Sequence, residues 1–424
     1  MDCRFCLLVF CLERIIIHQT AVGSVNTLPY PSIFKDQAKL DINYIPQQLR
    51  HRETQQRLLD EFFNFVLLCP GKMTQRVILT GDVGTGKTAL AHNFGANLAS
   101  MTTRRQITFH YIHVNCREYS GNLQAILHKA ITYFRPNFPP RGYGTEEIFA
   151  TLLQILDEEQ TTIVLTLDEF DSLIEKEGTN AVYKLTRIQE THPNKPQHLS
   201  FIFIMRTLEP LTKLDDSTKS TLQQNILHLE RYDKPALTDI LSDRVDLAFE
   251  PGVVSQDVVE LIAQLSHTQT GNARFGIELL WRAGKYTDAQ NTPRLEPEFV
   301  RQAIASIVPS LRRAELLSLS LHERLFLLAI ARYFIENKEA YALLTQTEQT
   351  YHIICEEYNQ TPNNHTQLYT YAQRLTQLGV IDKQTIHANT TRGRTTQISL
   401  PTIPATQLEK QLTESLAQDR SNPE

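Results

Sequence analysis

Apolar positions along the chain fall into two regimes. Up to about residue 232, short near-continuous apolar runs alternate with helical patterns. RVILT (76–80), residues 109–114, TTIVLTL (161–167) and LSFIFIM (199–205) read as four strands. Their continuity, rather than alternation, predicts strands covered on both faces, hence a parallel sheet with helices on either side. Before them, residues 52–68 carry a helical stripe at Leu58, Phe62, Phe65 and Val66, and residues 32–51 read as extended, broken by Pro46.

After Tyr232 the period changes to that of helices. Val258, Leu261, Ile262 and Leu265 follow the i, i+3, i+4, i+7 rule behind Ser255 as N-cap, and a second stripe holds Leu279, Leu280 and Trp281. Ser320 and Glu323 form a capping box that opens LFLLAIARYF. Asn364 caps a further helix that buries Leu368, Tyr371, Ala372 and Leu375 and turns Gln367, Thr370, Arg374 and Gln377 outward. Gly379 ends it, Val380 and Ile381 begin a strand, and a polar loop (387–394) leads into TTQISL. Helix, helix and a hairpin with a basic tip outline a winged helix. The division predicted is a leader (1–31), an α/β core (32–233), a helical lid (234–298), a winged-helix domain (299–412) and a polar, frayed tail (413–424).

Composition changes little in this picture. The 424 residues carry a formal net charge of −5 and are 41% apolar and 21% charged, as in ordinary globular proteins. Affinity for nucleic acid would have to come from local patches. From 365 to 400 the basic residues are Arg374, Lys383, Arg392 and Arg394, against Asp382 alone. The six cysteines are sparse. Cys69, Cys116 and Cys355 are far apart, which fits a reduced, intracellular protein. Cys3, Cys6 and Cys11 are spaced C-x2-C-x4-C with His18 beyond, so a metal site there is conceivable; a short apolar leader that happens to hold cysteines is the favoured reading, since a structural zinc site needs a closed four-ligand set on a supporting fold. The apolar run 6–12 is too short to span a bilayer and is read as part of a poorly ordered leader.

The chemistry sits in two motifs. Gly81-Asp82-Val83-Gly84-Thr85-Gly86-Lys87-Thr88 matches the phosphate loop G-x-x-x-x-G-K-[ST], and Ala89 follows it into a helix. Its backbone N–H groups and the helix N-terminus favour phosphate; Lys87 adds charge, and Thr88 offers a hydroxyl to Mg²⁺. The strand ending Leu167-Asp168-Glu169 places one carboxylate for the metal (Asp168) and one to polarise a water (Glu169). ATP, ADP and Mg²⁺ are the ligands expected.

These motifs, together with IFKDQAKLDINYIPQQLRHRE, YIHVNCRE, LDEFDSL, GNARFGIELLWRAG, SLHERLFLLAIAR and GRTTQISL, resemble the archaeal origin-recognition and cell-division-cycle initiator family of AAA+ ATPases over about residues 33–412. The resemblance implies that Tyr44, Ile45 and Pro46, with His51 and Arg52, lie against adenine; that Tyr232 is a hinge aromatic near the base; and that Arg274 reaches the γ-phosphate from the lid. It implies that Arg141, Gly142 and Tyr143 approach DNA from the ATPase domain. Thr366, Gln367, Thr370 and Arg374 of the recognition helix, with Arg392, Arg394 and Thr395 of the wing, suit groove and phosphate contacts. It also implies origin DNA, the replicative helicase and paralogous initiators as partners, and a cytoplasmic protein held on the chromosome rather than on a membrane. Two positions depart from the family: Arg206 stands where an asparagine is usual, and Ser217 where an arginine is usual.

Overall fold

The computed structural model describes residues 32–186, 196–222, 225–269, 271–307, 318–387, 394–401 and 403–421. The leader with Cys3, Cys6, Cys11 and His18, and Arg392 in the wing loop, lie outside them.

The α/β core opens with α1 (Glu53–Phe62) and α2 (Phe65–Leu68), then β1 (Arg76–Thr80), α3 (Lys87–Arg104), β2 (Phe109–Asn115), α4 (Leu123–Phe134), α5 (Thr145–Glu158), β3 (Thr162–Asp168), α6 (Asp171–Thr186), β4 (Leu199–Ile204), α7 (Asp216–Leu222) and β5 (Ile226–His228). The strands form one parallel sheet in the order β2-β3-β4-β1-β5. The four runs read from sequence are the first four strands; β5, three residues long, was too short to show a period. Every residue of β3 and β4 is buried. Side chains alternate between two cores: Ile163, Leu165, Leu167, Phe201 and Phe203 face α4, α5 and α6. Val164, Ile202 and Ile204 face α1, α2 and α3 with Val77 and Leu79.

The lid comprises α8 (Lys234–Ala248), α9 (Gln256–Thr268), α10 (Ala273–Ala289) and α11 (Pro297–Ile307). Its core includes Phe299, Val300, Ala303 and Ile304, so helix α11, which the sequence reading split at residue 298, packs as one piece with the lid. Ile33 and Leu40 join the same core. The segment before α1 is therefore fastened to the lid rather than to the sheet: Phe34 bridges Phe249, and Asp288 accepts from Ile33 N (2.9 Å) and Ser32 Oγ (2.8 Å). The chain then crosses to the core near Arg52 and returns to the lid at Asp233.

The last unit holds α12 (Leu321–Asn337), β6 (Ala342–Leu343), α13 (Leu344–Glu357), α14 (His365–Gln377), β7 (Asp382–His387), β8 (Arg394–Ser399) and α15 (Ala405–Ser421), with an antiparallel sheet β6-β8-β7. The capping box is formed: Ser320 N and Oγ both bond Glu323 Oε2 at 2.8 Å. The polar stretch after 412 is helical, because Leu408, Leu412 and Leu416 recur on one face and are buried; its low mean hydropathy concealed that stripe.

Lid and winged helix meet through polar groups. Arg301 of α11 is fully buried; its Nη2 donates to the carbonyls of Glu339 (2.9 Å) and Ala340 (3.3 Å), and its guanidinium lies 4.4 Å from the Phe334 ring centre. Glu298 accepts from Ala405 N and Thr406 Oγ1, both at 3.2 Å. Gln264 of α9 donates to Asp382 of β7, and Lys338 pairs with Glu296 at 2.9 Å.

Candidate functional site

Three strand ends converge on one cavity. The phosphate loop follows β1, Asp168 closes β3, and Arg206 lies just past β4; these strands are neighbours, and their C-terminal ends form the crevice where ligands of open α/β sheets bind. The cavity has a volume of about 1000 Å³ and is walled by core and lid together. Val83, Gly84, Gly86, Lys87, Thr88 and Ala89 line it, with Asp168, Glu169 and Arg206 from the core and Arg274 and Ile277 from the lid. Gly81, Asp82 and Thr85 do not line it. Thr85 is buried behind the loop and donates to the Asp82 carbonyl at 2.9 Å.

The conformation of the loop requires its glycines, as two of the positions show. Gly84 (φ 78°) is so close to the lid that a Cβ there would fall 1.8 Å from Asn272 Oδ1. Gly86 (φ 90°) precedes the first residue of α3 and faces the Tyr232 hydroxyl, 2.9 Å from where its Cβ would be. Asn272 also caps α10 by accepting from Arg274 N (3.0 Å) and Phe275 N (3.3 Å), so one side chain fixes the lid helix and touches the loop.

Lys87 Nζ donates to the carbonyls of Gly81 (2.6 Å) and Asp82 (2.7 Å). Burial pulls its pKa down, against the opposing pull of Asp168 and Asp82. Asp168 Oδ2 accepts from Thr88 Oγ1 at 2.7 Å and lies 3.3 Å from His113 Nε2; its Oδ1 accepts from Glu169 N at 2.8 Å. Burial pushes the Asp168 pKa up, but the bonds from His113 and Thr88 outweigh it and hold the group below the usual carboxylate range. A hydroxyl and an ionised carboxylate in hydrogen-bond contact are hard oxygen donors, the kind Mg²⁺ accepts while keeping most of its water. Glu169 sits at φ 50°, a left-handed backbone uncommon outside glycine. His113 packs against His92, the rings tilted by 35° with centres 4.3 Å apart. Neither histidine was singled out from sequence, since nothing in YIHVNCRE marks which β2 side chain meets the end of β3.

At the opposite end, Tyr44, Ile45 and Pro46 line the cavity with Ile240, Arg244 and Ile277. Arg244 bonds the carbonyls of Lys39 (2.9 Å) and Tyr44 (3.1 Å) and stands over the Tyr44 ring. Arg52 and His51 do not line the cavity. Arg52 is buried and braces the joint between core and lid: it donates to Thr85 O (3.1 Å) and Glu230 O (2.6 Å) and stacks 4.0 Å from the centre of Tyr232, which does line the cavity. His51 pairs with Asp239 at 2.8 Å and Arg50 with Asp243 at 2.6 Å, bonds from the crossing segment to α8.

The nucleic-acid candidates divide. Thr366, Gln367 and Thr370 are exposed on α14 as the helical period required. Arg374 is half exposed, but its Nη1 is 3.0 Å from both oxygens of the buried Glu323, so the charge read as groove-facing is shared with the capping box of α12. Lys383 lies over the Tyr369 ring at 4.2 Å, joining wing to helix. Thr395 is half-buried on β8, and Arg394 begins that strand. Arg141, Gly142 and Tyr143 are exposed on the loop before α5, where Tyr143 stacks on Phe138 with ring centres 5.0 Å apart. The loop and the winged helix are thus separate surfaces on core and C-terminal unit. Among the described residues no helix is long and apolar enough to cross a membrane, and Cys69, Cys116 and Cys355 are free thiols.

Comparison with known proteins accords with this architecture. Residues 73–212 match an AAA domain, residues 238–305 a Cdc6 AAA+ ATPase-type lid domain, and residues 314–410 the CDC6 C-terminal winged helix domain. The chain is 32% identical over 377 residues to ORC1-type DNA replication protein 2 of Sulfolobus acidocaldarius, covering 87% of this chain and 90% of that one. It is 28% identical to the ORC1-type DNA replication protein of Pyrococcus abyssi, covering 88% of each. Among solved structures, Cdc6p from Pyrobaculum aerophilum superposes with a TM-score of 0.80 at 28% identity, covering 92% of this chain and all of that one. The Aeropyrum pernix ORC1 protein, solved in complex with DNA, gives 0.58 at 26% identity and covers 92% of this chain and 98% of that one. With a phosphate loop at the seam between an AAA+ core and a Cdc6-type lid, a winged helix behind them, and these relatives over most of its length, the chain belongs to the archaeal Orc1/Cdc6 family of DNA replication initiators.

Proposed function

We propose that this protein is an ATP-dependent initiator that binds origin duplex DNA and helps recruit or load the replicative helicase, with ATP binding and slow hydrolysis as its switch. One observation carries the reading. The cavity is shared between core and lid, and the lid is bonded to the winged helix through Arg301, Glu298 and Gln264. A ligand that changes how core and lid close on each other moves the winged helix with the lid, and so changes its angle to the Arg141–Tyr143 loop on the core. Lys87, Arg274 and the loop N–H groups hold the phosphates, and Tyr44, Ile45 and Tyr232 face the base. Thr88 and Asp168 hold Mg²⁺, which when bound screens phosphate charge, and Glu169 orients water. The winged helix contacts bases through Thr366, Gln367 and Thr370, while Arg392, Arg394 and Thr395 of the wing and the Arg141–Tyr143 loop contact backbone or groove. Paralogous initiators are candidate partners on the same DNA.

A second reading is a nucleotide-gated DNA-binding regulator with little or no turnover. Arg206 favours it: a cation at the end of β4 stands where the family has a neutral amide, and Ser217 of α7 stands where the family has an arginine. Steady-state ATPase measurements on the wild type and Glu169→Gln, with DNA present, separate the two. Turnover abolished by the substitution supports the initiator with hydrolytic reset; none in either protein supports the regulator. Lys87→Ala should abolish binding of ATP and ADP in both cases.

A further inference from the structure

Two histidines face the metal end of the cavity, and the strand order explains why. β2 lies beside β3, with Asn115 paired to Asp168 and His113 to Thr166. Ile112 and Val114 turn into the core beneath α4, α5 and α6, so alternation along β2 sends His113 to the other side of the sheet, toward α3. On α3, His92 follows Thr88 by four residues and lies on the same face of the helix. Thr88, His92, His113 and Asp168 all line the cavity. His113, its side chain 18% exposed, has Nε2 3.3 Å from Asp168 Oδ2, the same oxygen that accepts from Thr88 Oγ1 at 2.7 Å. His92 packs against the His113 ring and meets the Tyr111 ring edge-on at 5.7 Å, so the imidazole beside Asp168 is backed by a second ring that is itself held.

Thr88 and Asp168 offer oxygen alone, and imidazole is a different kind of donor. It adds little to Mg²⁺, which takes oxygen ligands, and more to first-row transition ions, whose affinity for such sites rises from Mn²⁺ to Co²⁺. Ligands in adjacent positions of an octahedral ion stand about 3 Å apart, so the separation of His113 Nε2 from Asp168 Oδ2 is that of two groups one ion can share. Among the described residues no three His, Cys, Asp or Glu side chains are grouped to hold a metal ion by themselves. An ion beside Asp168 therefore needs the nucleotide's own oxygens, and metal and nucleotide bind interdependently.

We infer that His113 is a specificity-determining residue for the metal that accompanies the nucleotide: its Nε2 joins Asp168 and Thr88 as a donor and shifts that position from Mg²⁺ toward Mn²⁺ and Co²⁺. The inference rests on the reading of the cavity as the site of a metal–nucleotide complex. Metal choice is then set by a residue of β2, a strand that carries neither the phosphate loop nor the paired carboxylates.

The wild-type protein tests this without any variant. Pulsed electron paramagnetic resonance of the full-length chain, with isotopically labelled histidine, Mn²⁺ and a non-hydrolysable ATP analogue, should show histidine nitrogen coupled to Mn²⁺ only when the nucleotide is present. His113→Gln, whose amide can still donate to Asp168, should remove the coupling. No coupling in the wild type, or coupling that survives His113→Gln, would overturn the inference. Equilibrium binding of the analogue with saturating Mg²⁺, Mn²⁺ or Co²⁺ gives the selectivity. The wild type should bind the Co²⁺ complex most tightly and the Mg²⁺ complex least. His113→Gln should weaken the Co²⁺ complex about tenfold or more, with the Mg²⁺ complex changed by less than about twofold, which also shows that the variant is folded. Equal losses for all three ions would mean that His113 only holds Asp168 in place and would overturn its role in selectivity. Lys87→Ala keeps the two readings apart. Unchanged nucleotide binding in that variant would overturn the cavity assignment and this inference with it; if it abolishes binding while the wild type shows no nitrogen coupling, the inference alone falls.

Discussion

A single charged side chain here commonly serves two elements. Arg374 illustrates it. On an exposed helical face it would be worth little to stability, since solvated ion pairs contribute at most about 1 kcal/mol. Its partner, however, is Glu323, whose side chain is 4% exposed and also closes the capping box of α12. Arg374→Ala leaves that carboxylate buried with one partner fewer. We expect it to destabilise the C-terminal unit by about 1–3 kcal/mol, as a buried group deprived of its charged partner does. Thermal or urea unfolding checks this, with Gln377→Ala as the exposed control on the same helix. Equal stability of the two variants would mean that the ion pair is without energetic weight. Arg374 reads from the sequence as a groove contact, so stability must be measured before any weakening of DNA affinity by the same substitution is ascribed to that surface.

At the scale of elements, α14 and the wing are proposed to divide their task by chemistry. The exposed groups of α14 assigned to bases, Thr366, Gln367 and Thr370, are hydroxyls and an amide, suited to base edges, while the wing brings Arg392 and Arg394. Replacing Gln367 and Thr370 by Ala should reduce discrimination between origin and scrambled duplex by about 1–3 kcal/mol for each bidentate base pairing removed, with the salt dependence kept. Replacing Arg392 and Arg394 should do the reverse, lowering the slope of log affinity against log salt by roughly 0.9 for each phosphate no longer neutralised. Titrations of both duplexes at several salt concentrations separate these effects. A pair of variants that changed both quantities alike would remove the division between helix and wing.

At the scale of the whole molecule, the joints differ in kind. Core and lid are connected by two crossings, near Arg52 and near Tyr232, and both run along the cavity. Lid and winged helix are held by buried Arg301 and by Glu298 and Gln264. Under the proposed function the first joint responds to the ligand and the second transmits that response. Combining Glu298→Gln with Gln264→Ala should leave ATP and ADP affinities at the wild-type level, because neither residue lines the cavity. The ratio of DNA affinities between ATP-loaded and ADP-loaded protein should move toward one. An unchanged ratio in the double variant would show that the transmission runs elsewhere.

Most of the architecture was legible along the chain, because it rests on local rules. Four strands announced themselves as continuous apolar runs, the lid and recognition helices by their period, and the phosphate loop by glycines whose spacing follows from the need to turn backbone N–H groups inward. What failed to show was of two sorts. Elements too short or too polar to display a period, β5 and α15, take their form from neighbours: β5 pairs with β1, and α15 buries one leucine stripe against α12. Residues meeting across large sequence distances carry no local mark. His113 beside Asp168, Asn272 against Gly84, Arg301 on the carbonyls of residues 339 and 340, and Arg52 bracing the joint rather than lining the cavity depend on which strand end or helix end arrives beside them. The sequence by itself determined the elements and the phosphate-binding motif, since helix period, strand burial and turn chemistry act over a few residues. Only the tertiary structure decided which charges face the cavity and which are spent holding its walls together, because a side chain's partner is set by packing between elements that the sequence order does not make adjacent.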